Sequence, residues 1–358
     1  MKRNILTTLV LGLAFLASAQ EMVQLLPEKF NDYALNYYLP KTTTEIEFVA
    51  SKTTRKAGEY YQYARKYLGI TDVITEDSEV WKLEGATLVA RGVANTEARY
   101  QLTFKSGQTP YIYVSKEFTI LAANTTPDAY VADTFPALAP NVIHTVDNSK
   151  ALSGDILMSG SVAKMAEMAA KQIYRIRESR MDILTGEADN MPADGESLRI
   201  IIEQLDQQEA ALTAMFTGTT SVEYSAHRIE FTPQDNVDNR VVMRFSQHLG
   251  FVDVNDLSGV PIYLSAQVLE RGEYPIDNKG VVKKVPKGAI AYNIPGKMEI
   301  TLQYNGKSLV KKVLDVAQLG VVFGLDPALL VHKKQPTYVV FDPTTGGIVH
   351  MGVANGSM

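Results

Sequence analysis

Cysteine is absent from all 358 residues. That excludes disulfides, thiolate catalysis and cysteine-ligated zinc or iron–sulfur centres. It equally excludes a lipid anchor on a cysteine exposed by signal cleavage. Basic runs longer than a pair are also missing, and 40 acidic against 35 basic residues give a formal charge of −5. Such a balance argues against nucleic acid or anionic lipid as main partners. Histidine is scarce: His144, His227, His248, His332 and His350 form no H-x-H or H-x-x-x-H pair, so no zinc-binding spacing is present. Tryptophan occurs once, as Trp81. There is no low-complexity tract, and no apolar run after residue 20 is long enough to span a bilayer.

The N-terminus carries a three-part export pattern. Lys2 and Arg3 precede an apolar run from Ile5 to Leu16, and Ala17-Ser18-Ala19 supplies an A-x-A cleavage site. Residues 1–19 are therefore expected to be a signal peptide cut between Ala19 and Gln20. The product is expected to be soluble and periplasmic or secreted, without a lipid anchor. Loss of Lys2 and Arg3 shifts the formal charge from −5 to −7. What remains exceeds the size one core usually serves, so about two domains are expected. With 46% hydrophobic and 21% charged residues the chain is globular in composition.

Periodicity divides the chain into three parts. Residues 20–150 read as a β-rich domain with one short helix. Tyr100, Leu102 and Phe104 alternate with polar residues, as do Ile46 and Phe48, while Gly58 to Leu68 sets Tyr60, Tyr63, Ala64 and Tyr67 at helical spacing before Gly69. Pro127, Pro136, Pro140 and Asp147-Asn148 mark a connector. Residues 151–218 read as a long antiparallel helical hairpin. One stripe runs from Val162 through Met165, Ala169, Ile173 and Ile176, and another through Leu198, Ile201, Ile202, Leu205, Leu212 and Phe216. Arginines near the end of the first helix and Asp194 and Glu196 at the start of the second complement the helix dipoles. Residues 219–358 read as a second β-rich domain. Met298, Ile300, Leu302 and Tyr304 run into Asn305-Gly306, a strong hairpin signal, and a second hairpin is expected to turn at Asp342–Gly347. Strand and helix do not alternate repeatedly, so the fold class is α+β: two mostly antiparallel β-rich domains with an intervening helical hairpin.

Three segments carry a resemblance. They are Gly58-Glu59-Tyr60-Tyr61-Gln62-Tyr63-Ala64-Arg65-Lys66-Tyr67-Leu68-Gly69, the hairpin ending in Phe216-Thr217-Gly218, and Tyr292-Asn293-Ile294-Pro295-Gly296 followed by Ala317-Gln318-Leu319-Gly320. Together they resemble a Bacteroidota family of exported proteins known only as a domain of unknown function, over nearly the whole mature chain. The resemblance implies an envelope or secreted location. It implies no reaction and no catalytic residue.

No G-x-S-x-G elbow occurs. Ser161-Val162-Ala163-Lys164 fits S-x-x-K, yet S-D-N and K-T-G are missing and serine is an ordinary helix N-cap. His227 and His248 sit in neighbouring predicted strands without further ligands. Asp235-Asn236-Val237-Asp238-Asn239 is oxygen-rich but lacks the length and closing glutamate of a calcium loop, and turn chemistry accounts for it. The loop carboxylates Glu187, Asp189, Asp194 and Glu196 read as a solvated acidic tip, without a sign of the burial that separates pKa values in a hydrolase. No cofactor and no metal are expected.

Two sets of residues stand out. Glu209 lies on the apolar stripe of the second helix, three residues before Leu212, and antiparallel packing places it near Lys171 and Arg175. A register-fixing ion pair and a solvated stripe edge are equally compatible with that position. Seven tyrosines fall between Tyr33 and Tyr67. Those on the short helix read as packing residues, whereas Tyr37, Tyr38 and Tyr61 are expected at the surface, available to a sugar or a protein. The leading expectation is a non-enzymatic exported envelope protein that acts by contact with another envelope protein. The alternative is a glycan-binding or glycan-processing protein.

Overall fold

The structure is a computed structural model that describes residues 23–25, 32–105, 110–127, 133–143, 152–189, 194–332 and 335–353. The expected signal peptide at 1–19, His144, Asp147-Asn148 and Pro192 fall outside the described residues. The chain is α+β and β-rich, with antiparallel ladders throughout three sheets.

The first sheet is built on two very long strands, β2 (Asp32–Lys56) and β3 (Ser78–Lys105), and is completed by β6 (Thr219–Phe231) in the order β3-β2-β6. Strands of 25 and 28 residues bend rather than run straight. Register breaks between Tyr38 and Pro40 and between Val49 and Ala50 supply the bends, the first where proline cannot donate to the ladder. The second sheet has the order β11-β10-β9-β7-β8, from β7 (Val237–Ser246), β8 (Gly250–Val252), β9 (Val260–Glu270), β10 (Ile290–Tyr304) and β11 (Lys307–Leu325). Tyr304 and Lys307 close the β10–β11 hairpin around Asn305 (φ 50°) and Gly306 (φ 74°), the left-handed pair that a two-residue turn of this hand requires. The third sheet joins β1 (Val23–Leu25), β4 (Ile112–Val114) and β5 (Ile120–Ala123) to β12 (Thr337–Phe341) and β13 (Ile348–Val353). Its β12–β13 hairpin turns at Asp342–Gly347 as expected, but the turn is buried from Pro343 to Gly347.

The expected separation into β domains at 20–150 and 219–358 does not describe this packing. One core joins Ile46, Phe48 and Leu88 to Phe245, Ile262, Met298 and Ile300, and a second joins Tyr37, Leu39 and Leu102 to Ile290, Leu325, Val339 and Phe341. Both halves of the chain therefore enter both cores. The reason is length: at about 3.3 Å per residue, β2 spans roughly 80 Å and serves one core with each end. Periodicity locates such a strand but not its partners.

Four helices complete the molecule among the described residues: α1 (Ala64–Leu68), entered through a 3-10 turn at Tyr61–Tyr63, α2 (Gly154–Leu157), α3 (Val162–Thr185) and α4 (Gly195–Thr217). The Ser161 hydroxyl accepts from the Lys164 amide and the Asp194 carboxylate from the Ser197 amide, so both long helices start on side-chain caps. Gly69 and Gly186, each at positive φ, end α1 and α3. The helix expected from Gly58 is shorter, because the Tyr60 amide donates to the Met215 carbonyl instead of entering a helical ladder. A third core gathers Tyr60, Ala64, Ile156, Ala169, Ile173, Leu212, Met215 and Phe216.

Candidate functional site

Glu209 is the centre of the contact between α3 and α4. Its Oε1 accepts from Arg177 Nε at 2.6 Å, and its Oε2 lies 2.9 Å from Arg180 Nη1. That second approach is an ion contact without an aligned hydrogen bond. Arg180 Nη1 donates to Asp206 Oδ1 at 2.6 Å. The Asp206 bond, followed by the charge of Glu209, holds the Arg180 pKa above its usual value. The residue numbers rise on α3 as they fall on α4, so the two helices run antiparallel along this seam.

The partners differ from those expected. Lys171 donates to Glu167 at 2.7 Å on its own helix, and Arg175 lies on the exposed face. Glu209 meets α3 about one turn further along because Leu212, Met215 and Phe216 seat the end of α4 in the third core beside Ala166–Ile173. Bonds from Lys171 and Lys164 bring the Glu167 pKa down to about 2.

Beyond the clamp the helices leave the protein body. No residue from Arg177 to Thr185 or from Gly195 to Ala211 is buried. Leu205 and Ala211 still pack against the third core, so at 1.5 Å per residue the part of α4 that precedes this contact is about 15 Å long. Met181, Leu184, Ile200 and Ile201 are exposed there, Leu184 at 64%. Between Arg177 and Glu209 the sequence holds nine acidic side chains and three arginines, a net charge of −6. Two helices bury their stripes poorly without a third element, and among the described residues this arm is apolar and acidic, with Met181, Leu184, Ile200 and Ile201 exposed.

The tyrosines part company. Tyr37 is 1% exposed, a correction to its expected place at the surface. The bend at Tyr38–Pro40 turns it inward, where its hydroxyl accepts from the Ala291 amide at 2.7 Å and donates to the Ala291 carbonyl at 3.3 Å. Burial drives its pKa well above the usual tyrosine range. Tyr38 and Tyr61 are half-buried. The structure does not bring these three together with Glu209.

A further constellation was not legible in the sequence. Glu47, on the outer face of the first sheet, is only 2% exposed. Arg228 Nε donates to its Oε2 at 2.7 Å, and Oε1 has no hydrogen-bond partner. Residues 133–143 lie over this face as a strap. Asp133 pairs with Lys312 at 3.0 Å, Phe135 sits under the Arg228 guanidinium at 4.6 Å, and Val142 bridges to Val222. Strand alternation puts Glu47 on the outer face, but nothing local announces Phe135 packing on its partner Arg228.

The catalytic patterns resolve into structural ones. Lys164 Nζ turns to Glu167, while Ser161 only caps its helix. His227 packs on Phe251. Asn236 and Asn239 tie the 235–239 segment to Val268 and Ser265 of β9. Among the described residues no three histidine or carboxylate side chains are placed to share a metal ion, and no helix is long and apolar enough to cross a membrane.

Interleaved antiparallel sheets with two long helices define an α+β protein. Residues 33–349 match the family model described as a domain of unknown function (DUF4831), and the chain belongs to that family. Neither a curated protein nor a solved structure matches it.

Proposed function

We propose that this chain is a non-enzymatic protein of a Bacteroidota cell envelope, exported by residues 1–19, and that it works by contact with another envelope protein. In this reading α3 and α4 form a helical hairpin whose end beyond the clamp, carrying Met181, Leu184, Ile200 and Ile201, docks on that partner. The observation that carries it is the arm itself: exposed Met181, Leu184, Ile200 and Ile201 amid a net charge of −6, outside every core. The matching partner surface is an apolar groove with a basic rim.

The glycan reading draws less support. Tyr37 is buried, and the loop carboxylates lie on the exposed arm rather than in an aromatic-walled cleft. The test is cross-linked affinity purification from the native envelope, comparing the wild-type chain with L184D/I201D. A partner captured by the first and lost by the second is the expected result. No stoichiometric partner, or the same partner with both, overturns it.

A further inference from the structure

The 19 residues between β9 and β10, from Arg271 to Ala289, do not cover a core. They rise as an ordered finger. The Asp277 amide donates to the Val281 carbonyl at 2.8 Å and the Lys283 amide to the Pro275 carbonyl at 2.8 Å, which pairs Ile276 directly with Val282. Asp277 Oδ1 accepts from the Lys279 and Val281 amides at the tip, where Gly280 takes φ 76°. These bonds hold the Asp277 pKa low, so its charge is spent on the turn.

What this finger presents is unusual for a tip in water. Ile276 and Val282 oppose each other across the ladder and so share a face, yet they are 61% and 53% exposed. Tyr274, Val281 and Val285 are exposed as well. Interleaved with them are Lys279, Lys283, Lys284 and Lys287, all exposed, and Arg271 stands at the base paired with Asp235. Against Glu273 and Asp277 the segment carries +3, within a chain of −5. Aliphatic side chains at a convex tip, flanked by ammonium groups, match the boundary between acyl chains and anionic headgroups.

We propose that the 274–287 finger is a membrane-contact site that inserts Ile276, Val281 and Val282 at the surface of an anionic bilayer while its lysines meet the headgroup phosphates. A protein occupant fits less well. A fourteen-residue finger offers less than the roughly 800 Å² per partner of a stable protein interface, whereas a lipid surface conforms to it. The acidic arm of a second copy has the right charge but is itself convex. The chain's overall acidity bars non-specific adsorption, so the finger must touch first.

Vesicle flotation of the chain from Gln20 onward, which contains every described residue, tests this without the apolar N-terminus. Vesicles containing phosphatidylglycerol are expected to float the protein at low salt and vesicles of phosphatidylcholine alone are not. Each lysine near the surface contributes about five-fold in partitioning, so K279Q/K283Q/K284Q/K287Q is expected to lose several-hundred-fold. I276N/V282N is expected to weaken binding without lowering the melting temperature, because neither side chain supports a core. Equal binding to both vesicle types, unchanged binding by the lysine variant, or no binding at all overturns the proposal. Concentration-dependent self-association that the lysine variant abolishes, with no flotation, assigns the finger to a second copy instead.

Discussion

The Tyr37 hydroxyl stands in for a strand neighbour of Ala291. β10 pairs with β9 only from Lys297 onward, so its first residues have a ladder on the β11 side alone. The phenol of β2 answers both the amide and the carbonyl of Ala291, and the Asn293 amide finds the Gly346 carbonyl of the buried turn. Removing the phenol strands two buried backbone groups. Tyr37→Phe is expected to lower unfolding free energy by about 1–3 kcal/mol at pH 7, measured by urea denaturation.

The same residue sets an alkaline limit. Burial raises its pKa in the folded protein, while the unfolded chain titrates near 10. Below about pH 10 tyrosine is neutral in both states, and its contribution is fully present. Above that the unfolded state sheds a proton that the folded state retains, so stability falls as pH rises. Melting curves from pH 9 to 11 should show this fall, and Tyr37→Phe should flatten it. An equal slope in both proteins would refute the assignment to Tyr37.

Glu209 separates pairing from packing. Its side chain is 15% exposed and those of Arg177 and Arg180 are 40% and 32% exposed, between the surface and buried extremes. Glu209→Ala is expected to cost about 1–3 kcal/mol. Glu209→Leu, which extends the Leu205–Leu212 stripe, is expected to be nearly neutral. Hydrogen exchange of the arm amides reads the effect locally: faster in the alanine variant, close to wild type in the leucine variant.

Arg228 neutralises a carboxylate that is only 2% exposed. Arg228→Ala leaves Glu47 buried without its donor and is expected to cost about 2–4 kcal/mol by urea denaturation, with an unchanged m-value. Adding Glu47→Gln is expected to recover part of the loss, because a neutral amide no longer needs a counter-charge. A double variant no more stable than Arg228→Ala would show that Phe135 packing, not charge, holds the site.

Much of the fold was legible because it is local. Asn305-Gly306 announced its turn, Gly69 and Asp194 their helix ends, and the alternation at Ile46 and Phe48 a strand. Of the site, only Glu209 was marked, since a carboxylate on an apolar stripe needs a partner. Its choice of Arg177 and Arg180 over Lys171 and Arg175 was set by how deeply Phe216 seats, which is not a local property.

By itself the sequence determined class and elements: an acidic, cysteine-free α+β chain with two long amphipathic helices and hairpins at named turns. These follow from backbone sterics and side-chain period, which act over a few residues. Only the tertiary structure decided that the two β halves share their cores, that Tyr37 and Glu47 are buried, and that the apolar side chains of the helical arm's end and of the 274–287 finger are exposed. Each depends on which surfaces meet across hundreds of residues, and burial is a property of that meeting rather than of any one segment.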